Sequence, residues 1–214
     1  MNTRALVPGA WGHRLLRWGS PAALIALTVA HPAYRADPAG QLMRIGTSNS
    51  WTALHVGLLG GFAAFDMSLL TWPSRHRLGG QLRRLGVLVH LVAYSAFVAV
   101  DGVAGGVLAH FAAGAPSDLR PGLAAGLGVL FTAGPVVALA MTAGLGWLLA
   151  VGTIVAELVA SPRYLPAAGF LLSSVIVMTY GHSSPVGPIG AVLALVAAAA
   201  LDLAGRRPTA GRPA

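Results

Sequence analysis

The sequence predicts an all-α, polytopic integral membrane protein of about six transmembrane helices, and three observations carry that prediction. Of its 214 residues, 56% are hydrophobic and only 9% charged, and the mean hydropathy is +0.72, a balance that ordinary soluble domains do not reach. Apolar stretches long enough to cross the hydrocarbon core of a bilayer, ~20 residues each, recur along the chain. The arginines gather at alternate ends of those stretches, as the positive-inside rule requires.

Taken in order, the first span is Leu15–Tyr34, between Arg14 and Arg35. The second is Trp51–Trp72, with an indole at each end to anchor it at the interfaces. The third is Leu85–His110. From Leu123 to Ala160 the chain stays apolar for too long to be one simple helix, and Gly134-Pro135 is the natural break. Pro121–Ala133 is then a re-entrant or interfacial piece and Pro135–Ala160 the fourth span. Tyr164–Gly181 and Gly187–Ala204 complete the set, within a single domain over 1–214 that ends in a short cytoplasmic tail, 206–214. Under this topology Arg4, Arg14, Arg17, Arg75, Arg77, Arg83, Arg84, Arg163, Arg206, Arg207 and Arg212 share one side, against Arg35, Arg44 and Arg120 on the other. Both termini are therefore expected in the cytoplasm and the chain in the cell (inner) membrane. The basic flank and apolar core at the N-terminus resemble a secretory signal, but no small-x-small cleavage site follows Val29.

Composition also excludes chemistry. The chain has no cysteine, so disulfides, thiolate metal sites and cysteine nucleophiles are absent. It has no lysine either, which removes Schiff-base chemistry. The net charge of +8 is explained by arginines at span ends, so no nucleic-acid partner is expected; the partners are the lipid bilayer, a hydrophobic small molecule and a possible second copy of the chain.

Two His/Asp pairs are the main functional signal. His55 and Asp66 lie eleven residues apart in the second span, and His90 and Asp101 lie eleven apart in the third. Eleven residues is about three helical turns, so each pair shares one helix face, about 16 Å apart along the axis. In an antiparallel hairpin centred near residue 78, His55 lies level with Asp101 and Asp66 level with His90. Ionisable groups within a bilayer are costly, and each is a functional candidate with a partner. Imidazole beside carboxylate suits general acid–base work, which makes Asp101 and His55 the leading catalytic pair, with Asp66, His90 and Glu157 as a second set. The competing explanation is that the pairs are interhelical glue, at ~0.6–2 kcal/mol per contact. Asp202, close to Arg206, is expected to snorkel and serve structure. His110 is nine residues beyond Asp101, on the opposite face. Gly57-x-x-x-Gly61 and Gly102-x-x-x-Gly106 lie off the His/Asp stripes and are expected to admit other helices.

The function these residues favour is a membrane-embedded enzyme acting on a lipid or isoprenoid that enters sideways from the bilayer. Trp51, Phe62, Tyr94 and Phe97 would line the substrate, and proton-initiated isoprenoid cyclisation is the sharpest form, since aromatic faces stabilise cations. That chemistry requires no cofactor. The first alternative is a haem- or divalent-metal-binding protein using His31, His55 and His182, where a pair such as His55 with His31 or His182 could clasp a haem. The second is a small proton-coupled transporter or accessory subunit.

Overall fold

The computed structural model describes residues 10–32, 37–48 and 50–206. Arg4, Tyr34, Arg35, Asn49, Arg207, Arg212 and all but the start of the expected tail lie outside the described residues. The described residues are 85% helical, with no strand among them. Its helices are α1 (Ala10–Ala30), α2 (Pro38–Gly46), α3 (Trp51–Leu69), α4 (Arg77–Val98), α5 (Gly105–Gly114), α6 (Arg120–Thr132), α7 (Gly134–Leu158), α8 (Leu165–Thr179) and α9 (Val186–Arg206). A π-helical stretch, Ala99–Ala104, joins α4 to α5.

Proline starts many of these helices. It sits in the first turn of α2, α6, α7 and α8, where a missing N–H costs nothing and its fixed φ favours the helix. At α2 the Asp37 carboxylate adds a cap, accepting from Gly40 N at 2.6 Å. The long apolar stretch divides at Ala133, whose extended ψ of 134° interrupts the helix just before Gly134-Pro135.

Four helical segments are long and apolar enough to cross a membrane: Trp51–Leu69, Arg77–Gly114, Arg120–Leu158 and Val186–Arg206. The other two expected spans differ for separate reasons. In α1, Arg14 and Arg17 occupy the first half of the helix. In α8 there are only 15 residues, about 22 Å of helix against the ~30 Å of a bilayer core.

Six helices form a closed ring in the order α1–α3–α4–α7–α8–α9, with α9 returning to α1. The main core of the ring includes Leu24, Leu58, Phe62, Phe65, Trp147, Ile154, Leu171 and Val175. A smaller core of Leu42, Ile45, Trp51, Ala109 and Leu127 ties α2, α5 and α6 together over one end of the ring. The outward faces remain apolar, with Leu85, Leu88 and Val92 on α4 and Met141 and Leu145 on α7 all exposed, as a lipid-solvated surface requires.

Small residues set the closest crossings. A Cβ on Gly86 would fall 2.6 Å from Ala150 N and Gly146 O, and one on Gly146 would fall 2.7 Å from His90 N. The backbones of α4 and α7 therefore touch directly, as small residues in membrane helices allow. Gly57 and Gly61 receive Leu27 and Leu24 of α1, the role expected of that pair. Gly102 and Gly106 behave otherwise than expected. They face α3, against the His55 ring and the Trp51 and Thr52 side chains.

Candidate functional site

A cavity of about 770 Å³ lies within the ring, lined by His31, Trp51, His55, Phe62, His90, Tyr94, Phe97, Asp101, Trp147 and His182 among others. Its wall also includes Met141, Leu145, Leu148 and Ile176 of α7 and α8 and Tyr180 at the end of α8, side chains that are exposed on the outer surface of the bundle. The cavity thus opens to the outer surface of the bundle between α7 and α8.

At one end three imidazoles meet. His31 follows the last turn of α1, His55 projects from the second turn of α3, and His182 stands on the turn between α8 and α9. Their centroids are 4.9–6.0 Å apart, and the planes are steeply inclined to one another, at 68–87°. His31 Nδ1–H donates to Pro32 O at 2.8 Å and His55 Nδ1–H donates to Trp51 O at 2.9 Å. A carbonyl only accepts, so in each neutral ring Nε2 carries the lone pair. These two Nε2 atoms face each other at 3.3 Å.

The local backbone produces this arrangement. A methyl group at Gly102 would overlap the His55 ring, so glycine is needed there. The Trp51 indole N–H donates to Gly102 O at 2.9 Å and locks α3 against the π-helical stretch. Gly181 adopts φ 144°, a conformation open to glycine alone, and turns the chain so that His182 faces His31 and His55. Desolvation first, and then the neighbouring His31 and His55, hold the His182 imidazole well below its ordinary pKa, which keeps it neutral.

The expected His55–Asp101 hydrogen bond is not formed. The axial register holds, since Gly102 lies against His55, but Asp101 sits in the π-helical stretch. A π turn closes over i→i+5 in place of i→i+4 and so moves Asp101 off the face that an uninterrupted α-helix would give it. His55 Nδ1–H donates to Trp51 O instead, and its Nε2 faces that of His31. Asp101 lines the cavity beside it with no hydrogen bond or ion pair to the described residues. π-bulges concentrate at functional sites.

Asp66 and His90 do meet. His90 Nδ1 and Asp66 Oδ2 share a hydrogen bond of 2.7 Å, both residues being buried. The His90 ring is held between Tyr94, stacked at 5.0 Å, and Trp147, stacked at 4.9 Å. Phe62 packs on Tyr94 at 4.5 Å, and Tyr94 on Phe97 at 6.1 Å. Tyr94 Oη and Asp66 Oδ1 are buried without a hydrogen-bond partner.

Two other expectations change, for Glu157 and for haem. Glu157 does not join the Asp66–His90 pair. In the last turn of α7 it reaches the α3–α4 turn, where it accepts from Ser74 Oγ at 3.0 Å, Arg75 N at 2.9 Å and Arg83 Nη2 at 3.4 Å. Asp202 makes structural contacts, pairing with Arg17 at 3.0 Å and accepting from Trp18 Nε1 at 3.1 Å, because α9 packs along α1. The haem arrangement finds no room, since the His31, His55 and His182 rings pack directly on one another and leave no gap for a macrocycle between any two. His110 is exposed on α5, away from the cluster.

Sequence reasoning passed over Arg83, which is 2% exposed and donates to Trp72 O at 2.6 Å and Pro73 O at 2.9 Å. It also passed over Trp147, and for both the missing information was how α7 packs on the α3–α4 hairpin. No protein-family model, curated protein or solved structure matches the chain.

Proposed function

We propose that this protein is a membrane-embedded enzyme that draws an apolar, isoprenoid-like substrate sideways from the bilayer and acts on it by proton transfer from Asp101. All six ring helices cross the membrane in this proposal, with both termini cytoplasmic, as the arginine distribution favours. One observation carries the proposal: a cavity of about 770 Å³ links lipid-facing side chains of α7 and α8 to a carboxyl group that has no bonding partner among the described residues. A pocket of that size is in the range used by small-molecule sites. An apolar wall with a few convergent polar groups is the pattern of an enzyme for a hydrophobic substrate.

The chemistry follows from the lining. Protonated Asp101 gives its proton to an alkene carbon; the O–H bond breaks and the alkene pair forms the new C–H bond. The adjacent carbon becomes cationic among Phe62, Tyr94 and Phe97, whose ring faces attract it. A second alkene closes the ring, and loss of a proton to the Asp101 carboxylate restores the acid.

The test is incubation of the purified chain, in lipid nanodiscs, with squalene and with geranylgeraniol, followed by mass analysis of products. A cyclised product is expected, lost by 100-fold or more in Asp101→Asn, on the order of what a positioned acid contributes. Wild-type turnover in Asp101→Asn would overturn the assignment of the acid. No product from either probe would overturn the substrate class.

A further inference from the structure

We infer that His31, His55 and His182 form a binding site for a divalent transition metal, zinc in the first instance. The inference stands on the imidazole geometry and holds whether or not the cavity accepts an isoprenoid.

The two Nε2 atoms at 3.3 Å are the starting point. Both rings spend their Nδ1–H on backbone carbonyls, so two lone pairs point at one another with no hydrogen to share. Such a contact is repulsive unless a cation lies between the nitrogens. Tetrahedral zinc with N ligands at 2.0–2.1 Å places two of them about 3.3 Å apart, the separation already present here. Ligating histidines almost always donate the other ring N–H to a carbonyl or carboxylate, which fixes the tautomer and aims the lone pair. His31 and His55 both have that outer bond.

The third imidazole completes a ligand set. The ligating atoms of His31, His55 and His182 all lie within 4.8 Å of one another. The rings meet at steep angles, as ligands converging on a centre do. Three histidines leave a fourth position, and here that position opens on the cavity, which all three line. Closed four-ligand sites serve structure, whereas three protein ligands with an open position is the pattern of a catalytic zinc. The donors suit the metal: imidazole favours zinc, copper, iron and nickel, whereas calcium and magnesium want oxygen. The Gly102 cradle and the Trp51 bond to it support His55 from behind.

The test uses the untagged full chain in detergent, stripped with a chelator and then titrated with zinc or cobalt(II) alone. One metal ion per chain is expected by elemental analysis, and cobalt should give the intense visible bands of a four-coordinate site. His55→Gln and His182→Gln, checked for folding by circular dichroism and gel filtration, should weaken binding by 100-fold or more, on the order of or above the loss when an outer partner is removed. His110→Gln, on the exposed face of α5, should bind as the wild type does. A folded wild type that takes up neither zinc nor cobalt would overturn the site and leave a shared proton as the reason for the short contact. Stoichiometric binding retained in folded His55→Gln and His182→Gln would overturn it equally. A chain that loads cobalt yet turns over neither isoprenoid keeps the metal site and loses the enzyme proposal; turnover without metal does the reverse.

Discussion

At the α3–α4 turn, buried Glu157 receives donors from Ser74, Arg75 and Arg83, and Arg83 in turn donates to two backbone carbonyls. At the three-histidine end of the cavity, His31 and His55 aim unshared electron pairs at each other, and Asp101 makes no hydrogen bond or ion pair among the described residues. Both regions put costly polar groups into an apolar bundle. The first satisfies most of them, Arg83 Nε excepted, and ties a turn to a helix end. The second leaves binding capacity open, at a cost in stability. The Asp66–His90 pair lies between these extremes, bonded on one side and with Asp66 Oδ1 unpartnered on the other.

Stability measurements can break this comparison. The largest effect is expected at Glu157. Glu157→Ala leaves the Arg83 guanidinium buried without its anion, and breaking a buried pair by removing one partner costs about 3–5 kcal/mol. Thermal unfolding in detergent should therefore show a large fall in Tm; a Tm near wild type would mean that the turn is not held by this contact. Asp66→Ala comes next. It leaves His90 Nδ1 unbonded between Tyr94 and Trp147, at about 1–3 kcal/mol, and Asp66→Asn, which keeps an acceptor oxygen, should recover most of the loss. Equal losses in the two variants would place the effect in packing or charge instead of the hydrogen bond. The smallest effect belongs to Asp101→Asn, which removes no bond and should change stability by less than about 0.5 kcal/mol. A fall as large as that of Asp66→Ala would move Asp101 into the structural class and remove the contrast on which the site rests.

Much of this was legible from residue types and spacing. The apolar stretches and their helical nature follow from composition and length alone. The Asp66–His90 contact follows from register, because both residues sit on unbroken α-helix and the hairpin places them level. The same argument failed for His55 and Asp101 because it assumed 3.6 residues per turn through Ala99–Ala104, where the helix widens. Nothing in AVDGVA distinguishes a π-helical stretch from an α-helical one. The glycines at 102 and 106 were visible, but their use against His55 and Trp51 depends on that rotation.

By itself, the sequence determined the solvent this protein lives in and the chemistry open to it. Without cysteine or lysine, and with so few charges, its titratable candidates within the apolar bundle were histidines and carboxylates. Which of them meet was decided only by tertiary structure. His31, His55 and His182 come from three separate parts of the chain, and only closure of the six-helix ring, with Gly102 and Gly181 permitting the approach, brings them together. Local spacing fixes which face of a helix a side chain occupies; which helix that face then meets is settled by packing among all of them, and that information is not local.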